Sequence, residues 1–379
     1  MTAPSSLLDL DDADALLAAD VDGVLRFAAL GGAQIRATQA AVEEDGLVRL
    51  RGLQPRSIVF VTGDGSASRA AEIVVAALGG RTGMPLVVSV GAPPWVGPLD
   101  VLVVAGDDAG DPRLVESVDS ALRRGAEVVV AAPDEGPLRA AGAGRATVLP
   151  PRIAVPDHHG LLRYLAAFLA VLIAVEGERT AKVCPDLGRL ADAVDEEALR
   201  DHPRNEVFHN PAKSLAARMQ GRRVVFSGDT RATTHLARHG SETLLRMGAG
   251  VAAAAELADV VSGVRKFSAA NPAAPAGYDP FFHDDQLDGP PPGAPLRVLV
   301  FAAEANRPLV ERRVAALPDV DLVVAESEAA TAGPRYDAPP GSPADSPAVS
   351  ATRTEIEQIA VLVGRLEMSA AYLRLIGGN

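Results

Sequence analysis

The sequence predicts an α/β protein built as two tandem, doubly wound parallel sheets, each flanked by helices. Three observations carry this. Strand-like apolar runs alternate with helix-like segments along the chain, the pattern of consecutive βα units. The stretch IVFVTGDGSASRAA (Ile58–Ala71) resembles RVVFSGDTRATTHLA (Arg223–Ala237): an apolar strand, Gly-Asp, hydroxyl residues, then a helix. A second pair follows in the same order, the segment Asp100–Gly136 resembling Arg297–Glu328, each reading strand, polar loop, helix, strand. Two units repeated in one order mark a tandem duplication.

Length and composition agree. A chain of 379 residues suits about two domains, and its 48% apolar content with only 4% aromatic predicts a core of Ala, Val and Leu. The first half is taken as residues 1–184 and the second as 185–379. Within the first half, LLRYLAAFLAVLIAV (Leu161–Val175) is shorter than a bilayer span of about 20 residues and carries Arg163, so it reads as a buried helix. The second half is longer between its two units. There Phe267–Pro295, rich in Pro and Gly, reads as an inserted loop, and Thr331–Thr352 reads as a flexible, low-complexity segment. A last helix from Thr354 closes the chain with apolar residues at helical spacing.

A formal charge of −13 argues against nucleic acid or an anionic membrane surface as partner. The acidic N-terminus lacks the basic region of a secretory signal, and a cytoplasmic location is expected. Cys184, the single cysteine, excludes an intramolecular disulfide and a multi-cysteine metal site; nothing in VCPDLG would stabilise a thiolate. His158 and His159 are adjacent in a loop, and His235 and His239 stand at i, i+4, but the intervening residues offer no zincin-type glutamate. No metal and no cofactor is expected.

In open parallel sheets ligands bind beyond the carboxyl ends of strands, beside helix N-termini. The turn Thr62-Gly63-Asp64-Gly65-Ser66 falls there. Gly63 and Gly65 let a ligand approach the backbone, and Ser66 and Ser68 carry hydroxyls for phosphate oxygens. The turn matches neither a Walker loop nor a full GxGxxG, and reads equally well as a plain strand-to-helix turn with a serine cap. Charge separates the halves. Asp100–Gly136 holds nine acidic and three basic residues, whereas Arg200–Lys266 holds eleven basic and six acidic. The basic stretch, with Arg231 and His235 at the start of a helix, suits an anionic ligand; pairing of these charges across the halves is the other reading.

Three motifs resemble the bifunctional phosphoglucose/phosphomannose isomerases, proteins with two sugar isomerase (SIS) domains in tandem, and within them a diverged TobH-like branch. VTGDGSAS stands where that family has Gly-Met-Gly-Gly-Ser, PLVVSVGAPPWVGPLDVLVVAG contains its Pro-Trp-Val, and HNPAKSLAARMQGR (His209–Arg222) contains its Asn-Pro-Ala-Lys. The resemblance implies two tandem SIS domains, a sugar-phosphate ligand and a homodimer. It also implies an aldose–ketose isomerisation through a cis-enediol, which needs a carboxylate base within reach of the migrating proton.

Residue by residue the family's apparatus carries over in part. Glu242, in RHGSETLLRMG, stands at the place of the base. In AELADVV, Glu256 matches the family's Glu-x-x-His, with Asp259 where the ring-opening histidine belongs. An aspartate is a poor proton donor at neutral pH unless burial raises its pKa. The phosphate loop Ser-Tyr-Ser-Gly-Asn-Thr is replaced by AGDDAGDP, whose Asp107, Asp108 and Asp111 repel a phosphate dianion. The expected function is therefore a phosphosugar-binding protein with much of the catalytic apparatus replaced. An active glucose/mannose 6-phosphate isomerase using Glu242 is the alternative, with His239 beside Arg231 and His235 as further candidates for its missing acid and clamp.

Overall fold

A computed structural model describes residues 8–177, 183–270, 293–325 and 353–377. The regions read as inserted loop and flexible segment fall largely outside the described residues, which omit 271–292 and 326–352.

Three helices, α1 (Ala13–Ala19), α2 (Val24–Ala28) and α3 (Gly31–Glu43), precede the first sheet. That sheet takes β1 (Ser57–Thr62), β2 (Leu86–Ser89), β3 (Asp100–Ala105), β4 (Glu127–Ala131) and β5 (Thr147–Val148), with α4 (Ser66–Leu78), α5 (Pro112–Arg123) and α6 (Gly136–Gly142) between strands. The apolar run becomes α7 (Leu161–Glu176), followed by α8 (Leu187–Arg200) and α9 (Pro211–Met219). The second sheet takes β6 (Arg223–Gly228), β7 (Ala252–Glu256), β8 (Leu296–Phe301) and β9 (Val320–Val323), with α10 (Arg231–Arg246), α11 (Leu257–Ala270) and α12 (Arg307–Val314) between them. The last helix is α13 (Glu355–Leu375).

The sheets run β2-β1-β3-β4-β5 and β7-β6-β8-β9, all parallel, so the second repeats the first through four strands. The central pairs share one register: Ser57 to Thr62 face Asp100 to Ala105, and Arg223 to Gly228 face Leu296 to Phe301. Strands covered on both faces read as continuous apolar runs, and β1 (SIVFVT) and β3 (DVLVVA) are buried at every residue. Alternation then sorts side chains between two cores. Ile58 and Phe60 face inward with Val101 and Val103, while Val59 and Val61 face outward with Leu102 and Val104.

The inner core is continuous across the molecule. It joins Phe60 of the first sheet and Phe226, Leu299 and Phe301 of the second to Ile35, Ala70, Phe168, Leu190, Leu215, Leu236 and Tyr372 of α3, α4, α7, α8, α9, α10 and α13. Helices α5 and α6 cover the outer face of the first sheet, and α11 and α12 that of the second. The architecture is thus five layers, helix–sheet–helix–sheet–helix, whose middle layer is shared. In that layer α13 is buried along most of its length and bonds to its surroundings through polar side chains. Arg365 donates to Glu197 Oε1 at 2.6 Å and to the carbonyls of Val324 and Ala325 at 2.7 and 2.8 Å. Glu367 lies between His159 Nδ1 (2.7 Å) and His239 Nε2 (3.2 Å). Among the described residues no helix is long and apolar enough to cross a membrane.

Candidate functional site

Strand order reverses between β1 and β3, the place where an open α/β sheet forms a crevice. The backbones leaving these strands touch: Gly63 N–H donates to Ala105 O at 2.8 Å, and a Cβ on Gly63 would lie 3.5 Å from Gly106 Cα. Above them opens a cleft of about 670 Å³ lined by residues of both turns, by Pro156, Asp157 and His158, and by Arg246 from α10 of the other half.

Helix α4 starts in this cleft without a side-chain cap, so its first amides carry the positive end of the helix dipole unscreened. Its N-cap Gly65 has φ +86° and ψ −131°, backbone that residues with a Cβ rarely adopt. A Cβ there would also stand 2.5 and 2.7 Å from Arg246 Nη2 and Nη1. The guanidinium therefore rests on bare backbone at the helix start, and among the described residues it has no ion pair. Ser66 is buried, its Oγ donating to Asp157 O at 2.7 Å. Ser68 is part-exposed in the first turn of α4, and its hydroxyl has no partner among the described residues.

Five carboxylates line the cleft, and three of them are held by arginines. Asp107 accepts from Arg163 and from Tyr164 Oη (2.6 Å), and burial, with Asp107 beside it, pushes the Tyr164 hydroxyl well above its ordinary range. Asp111 caps α5 through Arg113 N at 2.8 Å and pairs with the Arg113 side chain at 3.0 Å, which also reaches Asp64 at 3.4 Å. Among the described residues Asp108 accepts only from Gly110 N, at 2.7 Å, and the Asp157 carboxylate has no partner. His158, its ring 4.5 Å from that of His159, is pushed down to about 4 by burial and then by that neighbour, so it is neutral at pH 7.

Other residues singled out from sequence lie elsewhere. Glu242 receives Arg69 Nε on both oxygens (3.0 and 3.2 Å) and Arg69 Nη2 at 2.8 Å, a clamp between α10 and α4. Arg69 also binds Glu72, whose Oε2 lies 3.0 Å from His235 Nδ1. Arg231 is exposed at the start of α10. Asp259 is exposed in the first turn of α11, which packs on the outer face of the second sheet, whereas α10 packs on the inner face. The structure does not bring Asp259 and Glu242 together. His235 and His239 diverge, the latter to the buried Glu367, and no group of metal-ligating side chains exists among the described residues.

The Asn-Pro-Ala-Lys motif has a packing role. Asn210 caps α9 by accepting from Lys213 N at 2.8 Å, Pro211 takes the first helical position, and Lys213, buried, donates to Pro203 O (2.6 Å) and Asn205 O (2.8 Å).

At the second switch point the turn is filled. Thr230 caps α10 in a reciprocal box with Thr233, and Asp229 is held by Thr233 Oγ1 at 2.9 Å and Asn306 Nδ2 at 2.6 Å. Thr230 Oγ1 also meets Glu355 Oε1 at 3.4 Å, and Arg81 of the first half lies 3.6 Å from Glu355 Oε2.

No protein-family model matches this chain, and no curated protein matches its sequence. Solved structures match over nearly the whole length. Tagatose-6-phosphate ketose/aldose isomerase from Escherichia coli has a TM-score of 0.54 at 16% identity, over 94% of this chain and 92% of that one. The C-terminal domain of glucosamine-fructose-6-phosphate aminotransferase from Francisella tularensis has 0.57 at 9% identity, over 94% and 97%. The fold is that of tandem SIS domains. A glucose-6-phosphate isomerase-like protein from Thermus thermophilus shares it at a TM-score of 0.50 and 19% identity, over 98% and 95%.

Proposed function

We propose that this chain binds a phosphosugar at the first switch point and has lost most of the catalytic apparatus of the phosphoglucose/phosphomannose isomerases that its motifs resemble, as a diverged TobH-like member. The carrying observation is the pairing of the uncapped start of α4 with the guanidinium of Arg246, which has no ion pair among the described residues, over Gly65. Oriented amides plus a guanidinium form an anion site of the kind that holds phosphate. Ser68 adds a hydroxyl donor that has no partner among the described residues, while the donor of Ser66 is already committed to Asp157. The distal carboxylates accept sugar hydroxyls.

Isomerisation would need more. Both oxygens of Glu242 are engaged by Arg69, and Asp259 lies on the far face of the second sheet. Titration calorimetry with glucose 6-phosphate tests the reading: binding is expected, and Arg246→Ala weakens it by about tenfold, the scale of one charge-assisted contact. Coupled assays with glucose, mannose and fructose 6-phosphates are expected to show no turnover. A kcat in the ordinary range of about 1–10³ s⁻¹ that collapses in Glu242→Gln would establish the alternative, an active isomerase. What favours that alternative is the position of Glu242, one helical turn before Arg246 on the same helix.

A further inference from the structure

The cleft is unevenly charged once its ion pairs are assigned. Arg113 is engaged by Asp111 and Asp64, and Arg163 by Asp107. Arg246 remains at the Gly65 turn, while Asp108 and Asp157 remain without a cation among the described residues. His158, half-buried in the same cleft, does not offset them, because it is neutral at pH 7. The two ends are close. Ser66, which follows Gly65, binds the backbone carbonyl of Asp157 at 2.7 Å, so the Asp157 carboxylate stands within a side chain's length of the helix start.

A ligand carrying only a phosphate gains at Arg246 and is repelled by the remaining carboxylates. A ligand carrying a phosphate and a cation satisfies both ends. Building on the phosphosugar reading, we infer that the preferred ligand is an amino-sugar phosphate, its phosphate on Arg246 and the α4 amides and its ammonium between Asp157 and Asp108. The ligand thereby supplies the positive charge that the cleft lacks.

Calorimetry on the full chain decides this with three compounds: glucosamine 6-phosphate, N-acetylglucosamine 6-phosphate, whose amide is uncharged, and glucose 6-phosphate. The amine should bind about five- to tenfold more tightly than the other two, the scale of one or two part-exposed ion pairs. Asp157→Asn and Asp108→Asn should lower affinity for the amine and raise it for glucose 6-phosphate, so that the preference closes. Both side chains are exposed, and an unchanged melting temperature would verify that the variants fold. Equal affinity for all three compounds, or a preference that survives both substitutions, overturns the inference and leaves the phosphosugar reading standing. Binding of none of the three overturns that reading and the inference with it.

Discussion

At the end of β1 a helix begins on bare glycine backbone with a guanidinium from the other half resting against it. At the end of β6 the corresponding helix begins on Thr230, capped, boxed and bonded to Glu355. The arginines are counterparts: Arg81 and Arg246 each stand fifteen residues after the first residue of their helix, Ser66 and Arg231. Each reaches the other half's turn, Arg81 meeting a carboxylate from α13 and Arg246 meeting none among the described residues. A repeated βα unit thus leaves either an open turn or a closed joint. What decides is whether nearby side chains satisfy the amides and the arginine at its mouth.

The largest effect concerns a buried contact that joins the two halves. Burial alone would raise the Glu367 carboxyl, but hydrogen bonds from His159 and His239 overcome it and hold the group down to about 2. Glu367→Ala strands two buried histidines, one from each half, and should cost about 3–5 kcal/mol in denaturant unfolding. Unfolding of the native chain should be a single transition, and two separated transitions would show the halves to be independent. Because the folded pKa is depressed, the stabilisation is complete above the ordinary carboxyl value of 4.5 and is lost as pH falls toward about 2.

Next comes Gly65→Ala, which forces a Cβ into positive-φ backbone and into Arg246. It should cost about 1–3 kcal/mol in thermal unfolding and weaken phosphosugar binding. Its counterpart Thr230→Ala removes a cap and a long contact with Glu355, about 1 kcal/mol, and should leave binding unchanged. Arg81→Ala gives up a long, half-exposed pair, under about 1 kcal/mol, and should spare ligand affinity where Arg246→Ala does not. Equal binding losses at both arginines would erase the distinction between the turns. The smallest effect is chemical: burial pushes the Cys184 thiol up to about 12, so the native chain should resist alkylation at neutral pH, with labelling appearing only on unfolding.

The sheets were legible because β1 and β3 are covered on both faces and, like the inner strands of the second half, read as near-continuous apolar runs. The turn at Gly63–Ser66 was legible for the same local reason, a strand stopping at glycines. Arg246 was not, because its contact with Gly65 crosses between the halves, and only counting along the two repeated helices would have exposed it beside Arg81. Glu242 was singled out in the sequence by resemblance alone; its engagement by Arg69 comes from the packing of α4 on α10, which no local pattern encodes. The Asn-Pro-Ala-Lys motif was visible as a signature, but its work as a cap and a buried lysine needed the loop carbonyls of Pro203 and Asn205.

The shared middle layer also limits how the molecule moves. Two-lobed binding proteins close on a ligand by swinging one lobe about a hinge, which requires an interface able to slide or part. Here the inner core runs unbroken from Phe60 to Phe301, and parting the sheets would expose the apolar faces of seven helices. Lobe-swinging is closed to this chain. A ligand bound as proposed at the first turn would meet a preorganised cleft, with rearrangement confined to the rim, where Arg246, Asp108 and Asp157 are exposed. Affinity at the proposed site would then be governed by fit to a fixed frame, with little ordering left for binding to accomplish.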